Sequence, residues 1–238
     1  MRLSKRVVSL ICLSSMMLGF GASSGSNIED NFNLSSINVI NKEVDTVVES
    51  ITYENLEESK KNRELKKMDI VQLEEIRKEK ITYLREDITI PSGITEQELR
   101  NVLLTHKGSD TMAHLSEALV DAENKYGVNA FAMAAIVALE SGFATSRRAV
   151  EDNNLTGYEV YSDNSEGRLF VSQYDSIVHT ARHLSENYLT KGAIYYNGVS
   201  VDSVQIKYCP DEGKGKNWDG KVDSLAKDFL QTYKKLYL

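Results

Sequence analysis

The chain has 238 residues, a net charge of −7, 41% apolar residues and a mean hydropathy of −0.35. That length fits one domain with an added segment, or two domains, and the apolar share suffices for a core. The acidic balance argues against nucleic acid as the main partner and against electrostatic capture by anionic lipid.

The first segment, "MRLSKRVVSLICLSSMMLGFGASSGSN", has the three parts of an export signal. Arg2, Lys5 and Arg6 form a basic start, Val7 to Phe20 an apolar centre, and Gly19 to Ser23 a small-residue region where a peptidase could cut. The apolar run is short of the roughly 20 residues a spanning helix needs. Residues 1–22 are therefore expected to be a cleaved signal peptide, with an uncleaved anchor as the alternative, and the protein is expected to be secreted. Cys12 lies within this signal, which leaves Cys209 alone in the mature chain and allows no intramolecular disulfide. Nothing near Cys209 marks it as a nucleophile.

Residues 23–90 differ in character. "SSGSNIEDNFNLSS" is polar and lacks apolar periodicity. Ile37, Ile40, Val44, Val47 and Ile51 then alternate at spacings of three and four, a helical stripe. "ENLEESKKNRELKK" is dense in mixed charge and reads as a solvated helix or linker, and "MDIVQLEEIRKEKITYL" as a further helix. No residue here suits catalysis. The segment is expected to be a charged helical linker or docking arm, with residues 37–51 as a candidate surface for a protein partner or for self-association.

Pro91 and Gly93 mark a boundary, and Thr95 with Glu98 forms a capping box that opens a helix. From residue 91 to 238 the pattern is nearly all helical. Leu115, Leu119, Ala122 and Tyr126 share a face, Gly127 ends that helix, and Asn129 can cap the next. Asn129 to Glu140 is apolar all round and predicts a central buried helix. Ile177, Val178, Ala181, Leu184 and Tyr188 mark another helix, entered through Asp175 or Ser176. The last helix carries Trp218, Val222, Leu225, Phe229, Tyr233 and Leu236 on one side. One stretch departs from this pattern: "GYEVYSDNSEGRLFVSQY" has two β-rich runs around a polar turn and predicts a hairpin. The expected fold class is α+β, a mostly helical lobe with one small hairpin, preceded by a helical arm.

Glu140 ends the apolar run "AFAMAAIVALE". A carboxylate is disfavoured at a helix C-terminus by the dipole, and disfavoured again by apolar surroundings. Those surroundings raise its pKa, which is what an acid that protonates a leaving oxygen requires. Gly142 can adopt the left-handed conformation that ends the helix and leaves the carboxyl at a cleft edge. Alone, a Glu before Ser-Gly also describes an ordinary surface residue.

Its surroundings add more. "ALESGFATSRRAVEDNNLTGYEVY" resembles glycoside hydrolase family 73, the bacterial β-N-acetylglucosaminidases of peptidoglycan, through Glu140, Ser141, Gly142, Ala144, Thr145, Ser146, Asn153, Asn154, Leu155 and Gly157. "ARHLSENYLTKGAIYYNG" and "IKYCPDEGKGKNWDGKV" resemble the downstream part of that family, so coverage runs from about residue 91 to the C-terminus. The resemblance implies a lysozyme-like α+β fold, a catalytic domain over 91–238, and Glu140 as general acid. It further implies a second acidic residue on or near the hairpin, with Glu166 preferred to Asp163 and Glu159, and a functional Tyr208. Cys209 stands where the family more often has Ala. An acidic protein can act on such a polysaccharide, because sugars are read by hydrogen bonds and stacking. Asn154, Tyr158, Tyr174, Tyr195, Tyr196 and Trp218 are the substrate-binding candidates. Of the adjacent Tyr195 and Tyr196, one is expected to face solvent or substrate. Trp218 is expected mainly to pack the last helix.

The expected partner is then the glycan strand of peptidoglycan, cut between N-acetylglucosamine and N-acetylmuramic acid at the cell wall or cell surface. In glycosidases with two carboxylates, separations of ~5–5.5 Å and ~6.5–9.5 Å divide retention from inversion, and assistance from the acetamido group bypasses that rule. A lytic transglycosylase and a non-catalytic wall-binding protein are the alternatives; the first usually has a Gly-Leu-Met-Gln-like stretch that this chain lacks. His179 and His183 have a spacing two metal ligands could share, but no third ligand stands out, and no metal or cofactor is assigned. Arg147 and Arg148 can pair with Glu151 or Asp152, or contact a peptide stem.

Overall fold

The computed structural model describes residues 34–160, 166–210 and 217–238, with side chains from Lys42 onward. The expected signal peptide, Cys12, Asp163 and the tip of the expected hairpin lie outside the described residues, as do the side chains of Ile37 and Ile40. The chain divides into two units, residues 1–64 and 65–238. Helix α1 (Leu34–Glu79) crosses that division. The charged run 54–67 is continuous helix. Pairs three residues apart, Lys60 with Glu57 at 2.9 Å and Lys78 with Glu75 at 3.0 Å, each support it by a few tenths of a kcal/mol. In the first unit Val47, Val48, Tyr53 and Leu56 remain exposed along the helix. No helix among the described residues is long and apolar enough to cross a membrane.

In the second unit, the chain after α1 is irregular but not loose. Ile81, Tyr83 and Ile88 are buried, so the core starts ahead of the boundary expected at Pro91. Arg77 reaches forward to Glu98 at 2.6 Å and donates to the Gly93 carbonyl. Helix α2 (Glu96–Thr105) opens with the expected capping box, Thr95 and Glu98 each satisfying the other's backbone N–H. A short 3₁₀ turn (Asp110–Leu115) leads to α3 (Ser116–Tyr126), which Gly127 ends at φ 67°.

The central helix is α4 (Ala130–Ser141), buried from Ala130 to Ala138. Its start is held by two polar residues. Asn129 caps it, accepting from the N–H groups of Phe131 and Ala132, and its amide donates to the carbonyls of Thr82 and Ile90. The buried Glu123 carboxylate accepts from Ser92, Gly93 and Ala130 N–H groups at 2.8, 3.2 and 2.7 Å. The irregular segment 80–93 is thereby tied to the N-terminus of the central helix.

After α5 (Arg147–Glu151), the next helix, α6 (Gln173–Leu184), is capped by Ser172. It starts a little earlier than Asp175 or Ser176 suggests, because the Ser172 hydroxyl accepts from the Asp175 N–H and donates to its carboxylate. A π-helical turn (Ser185–Leu189), α7 (Val201–Tyr208) and α8 (Trp218–Tyr237) complete the unit. Helix α4 packs against α8 and α3, and α3 against α6. The result is the expected mostly helical lobe.

The expected hairpin is not seen among the described residues. Among the described residues no strand occurs. A ladder is interrupted where Glu159, inside the first β-rich run, takes φ 60°. One cross-link survives, from the Arg168 N–H to the Tyr158 carbonyl at 3.1 Å. The buried Asn154 supplies the rest. Its amide donates to the carbonyls of Tyr158 and Arg168 and accepts from the Tyr158 N–H, all at 2.9–3.0 Å. The Asp152 main-chain carbonyl accepts from the Phe170 N–H at 3.0 Å. The two runs are thus joined through side chain and loop, in place of a β ladder.

Candidate active site

Glu140 stands in the last turn of α4. Gly142 ends the helix at φ 58°, as expected, and the next two residues follow it into the left-handed region, Phe143 at 58° and Ala144 at 61°. Non-glycine residues there are costly and persist only where other contacts hold them. Here Ser141 holds them: its hydroxyl donates to the Val137 carbonyl and accepts from Ala144 N–H at 2.7 Å. Thr111 donates to the Phe143 carbonyl at 2.6 Å. This turn sends the chain away from Glu140 and leaves its side chain at the surface.

The residue as a whole is exposed, but protein mass crowds its carboxyl. Desolvation lifts the Glu140 pKa above the ordinary carboxylate range. A bond from the Trp218 indole N–H to Oε1, at 2.6 Å, pulls it partly back. Trp218 does pack as the first residue of α8, 4% exposed, but its N–H is spent on the carboxyl. With Oε1 held, a proton on the carboxyl is directed to Oε2, which has no hydrogen-bond partner among the described residues.

The first turn of α8 is itself braced. Arg85 contacts Asp219 at 2.5 Å, and Asp202 and Asp223 at 3.5 Å, while the Tyr83 hydroxyl bonds to Asp223 at 3.2 Å. Segment 80–93 therefore fixes the helix that supplies the indole.

Tyr208 lies beside this pair, its ring 5.2 Å from that of Trp218. Burial first, and the Glu140 charge second, push its phenol well above the usual range, so it stays neutral. From Tyr208 a strip of ring contacts runs outward. Tyr188 follows at 5.9 Å, with His183 at 5.6 Å from it, then Tyr158 at 5.2 Å and His179 at 4.6 Å, and Phe170 borders Tyr158 and His179. Tyr195 joins at Tyr188, 5.1 Å away, and is 37% exposed, whereas Tyr196 is half-buried. Two concavities of about 420 and 370 Å³ lie elsewhere, one against Leu73, Ile76 and Pro91, the other against His114, Asn153 and Tyr174. Among the described residues, the acid thus adjoins the inner end of this aromatic strip.

Of the residues expected at the site, Glu140, Tyr208, Trp218, Tyr158 and Tyr195 are connected through this strip. Asn154 is buried and fully engaged in pinning the loop. Tyr174 is tied to Asp121 and Lys125, apart from the strip. Glu166 is exposed, its carbonyl accepting from Arg148 at 2.9 Å. Arg147 pairs with Glu151 at 2.9 Å. Reading the sequence alone missed Phe170, His179 and His183 as members of the strip. The signal was present, since the four-residue spacing of the histidines puts both on one helix face.

Residues 116–231 match the sequence pattern of a family described as glucosaminidase, mannosyl-glycoprotein endo-beta-N-acetylglucosaminidase. The chain is similar to two proteins of Streptococcus pneumoniae, strains TIGR4 and R6, each provisionally named endo-beta-N-acetylglucosaminidase. Each is 24% identical over 146 residues, which cover 60% of this chain and 21% or 20% of the relative. The chain spans about a fifth of the length of these curated relatives.

Proposed function

Residues 116–231 of this chain form a domain of the glucosaminidase family, and from that premise we propose that the protein is an exported peptidoglycan hydrolase. It cleaves the β-1,4 bond between N-acetylglucosamine and N-acetylmuramic acid at the cell wall. The observation that carries this reading is one carboxyl with a raised pKa, hydrogen-bonded on one oxygen and open on the other, beside an aromatic strip.

Glu140 is the general acid. Its Oε2 proton passes to the glycosidic oxygen as the bond to the anomeric carbon breaks, and an oxocarbenium-like state forms. The negative Glu140 that results keeps its bond to Trp218, which strengthens as charge develops on the carboxyl. The positive anomeric centre is met by the substrate's own acetamido oxygen or by Glu166. Tyr208, kept neutral, is a hydrogen-bond donor at the reacting sugar. Water then adds to the anomeric carbon and returns a proton to Glu140, so the enzyme ends as it began. The rings of Tyr158 and Tyr195 give sugar faces a surface to stack on.

Digestion of purified peptidoglycan in ¹⁸O water tests this. The expected product is a reducing-end N-acetylglucosamine carrying one ¹⁸O. Anhydro-muramyl ends without ¹⁸O would make the protein a lytic transglycosylase.

A further inference from the structure

Resting on the reading of this chain as a peptidoglycan hydrolase, the geometry points to a carboxylate subsite at the outer end of the ring strip. Arg168, Arg182 and His179 form it, and it takes the carboxylates of the peptide stems on the substrate strand.

Three observations carry this. First, the Arg168 Nη1 lies 3.3 Å from His179 Nε2, and the Arg182 Nη2 lies 3.5 Å from His179 Nδ1. A guanidinium only donates, and a neutral imidazole has one accepting nitrogen. At most one of the two contacts is a hydrogen bond; the other sets donor against donor. An anion entering between these groups relieves that conflict and accepts from both sides. Desolvation and the two arginines hold the His179 pKa below its ordinary value, consistent with a neutral ring in an electropositive place.

Second, among the described residues no carboxylate forms an ion pair with Arg168 or Arg182. The charge of Glu159 reaches His179 only weakly. In a chain of net charge −7 with many paired cations, two exposed guanidinium groups on one imidazole are an exception.

Third, the place is right. Arg168 sits over the Tyr158 and Phe170 rings, 5.8 and 5.2 Å from their centres, and His179 ends the strip that starts at Trp218 and Glu140. Planar guanidinium groups on aromatic rings are preorganised for bidentate carboxylate binding. N-acetylglucosamine is uncharged, and the muramic lactyl group is neutral once amide-linked to a stem. The charge on such a strand is therefore in its stems, and a strand on the strip brings them to the cluster.

The test compares glycan strands with intact stems against the same strands whose stem carboxylates have been converted to neutral amides. The ratio of kcat/KM for free-carboxylate over amidated strands is expected to be well above one in the wild type. It should fall about tenfold in R168Q/R182Q, with partial retention in R168K/R182K, and should fall with added salt in the wild type. An unchanged ratio in R168Q/R182Q would overturn the subsite. Binding of the same two strands to E140Q, with and without R168Q/R182Q, reads the subsite without catalysis. A preference for free stem carboxylates lost in R168Q/R182Q supports it even if no sugar is ever released, whereas equal binding of both strands by E140Q overturns it.

Discussion

At Glu140 two penalties meet that a folded chain normally avoids, a carboxyl at a helix C-terminus and a carboxyl among apolar atoms. Both push in one direction, toward the protonated form. Trp218 opposes them by favouring the ionised carboxylate. The sign for Trp218→Phe follows: without the indole N–H the pKa of Glu140 rises. A general acid works while protonated, so the alkaline limb of the kcat profile should move to higher pH, by about one unit for a lost charge-assisted bond. A Trp218 that served only to pack α8 would lower the fraction of active protein and leave the limb in place. Glu140 was legible in the sequence because it ends the buried apolar run of its own helix. Its bond to Trp218 was not, since the two are 78 positions apart and only the packing of α8 on α4 brings them together.

The caps show the same division between local and distant causes at the scale of elements. Thr95, Gly127, Asn129 and Gly142 each act on their own helix end and were readable from it. The irregular course of 157–160 and 166–170 was not readable, because alternation of apolar residues describes a strand only if a partner strand pairs with it. Asn154 took the partner's place. Glu123 is a second distant cause. It lies on α3 and looks like any helix-face charge, yet it satisfies three backbone N–H groups of two other segments. Glu123→Ala leaves those donors unmet in the interior. It should lower unfolding stability by at least about 1–3 kcal/mol, read from denaturant midpoints, while a surface control such as Glu117→Ala should change it by less than about 0.5 kcal/mol.

For the whole molecule, the matched region 116–231 is smaller than the folded body it belongs to. Ile81, Tyr83 and Ile88 are in the core, and Arg85 braces the start of α8. Turn residues at Pro91 and Gly93 suggested a later start, and they do mark a turn. They do not mark the edge of the packed body, which depends on what the preceding residues bury. A chain starting at Leu65 should fold and keep its activity on soluble wall fragments, measured by reducing-end release. One starting at Ser92 should lose cooperative unfolding. Equal behaviour of the two would mean that segment 80–91 is dispensable.

The most direct test is mass spectrometry of fragments released from purified peptidoglycan by the wild type and by Glu140→Gln, side by side. Glutamine keeps the shape and the acceptor for Trp218 but carries no acidic proton. The wild type should release reducing-end N-acetylglucosamine, and Glu140→Gln should release it at least about 10²-fold more slowly, as expected for loss of a general acid. Equal release by both proteins would contradict the assignment of Glu140 as the acid.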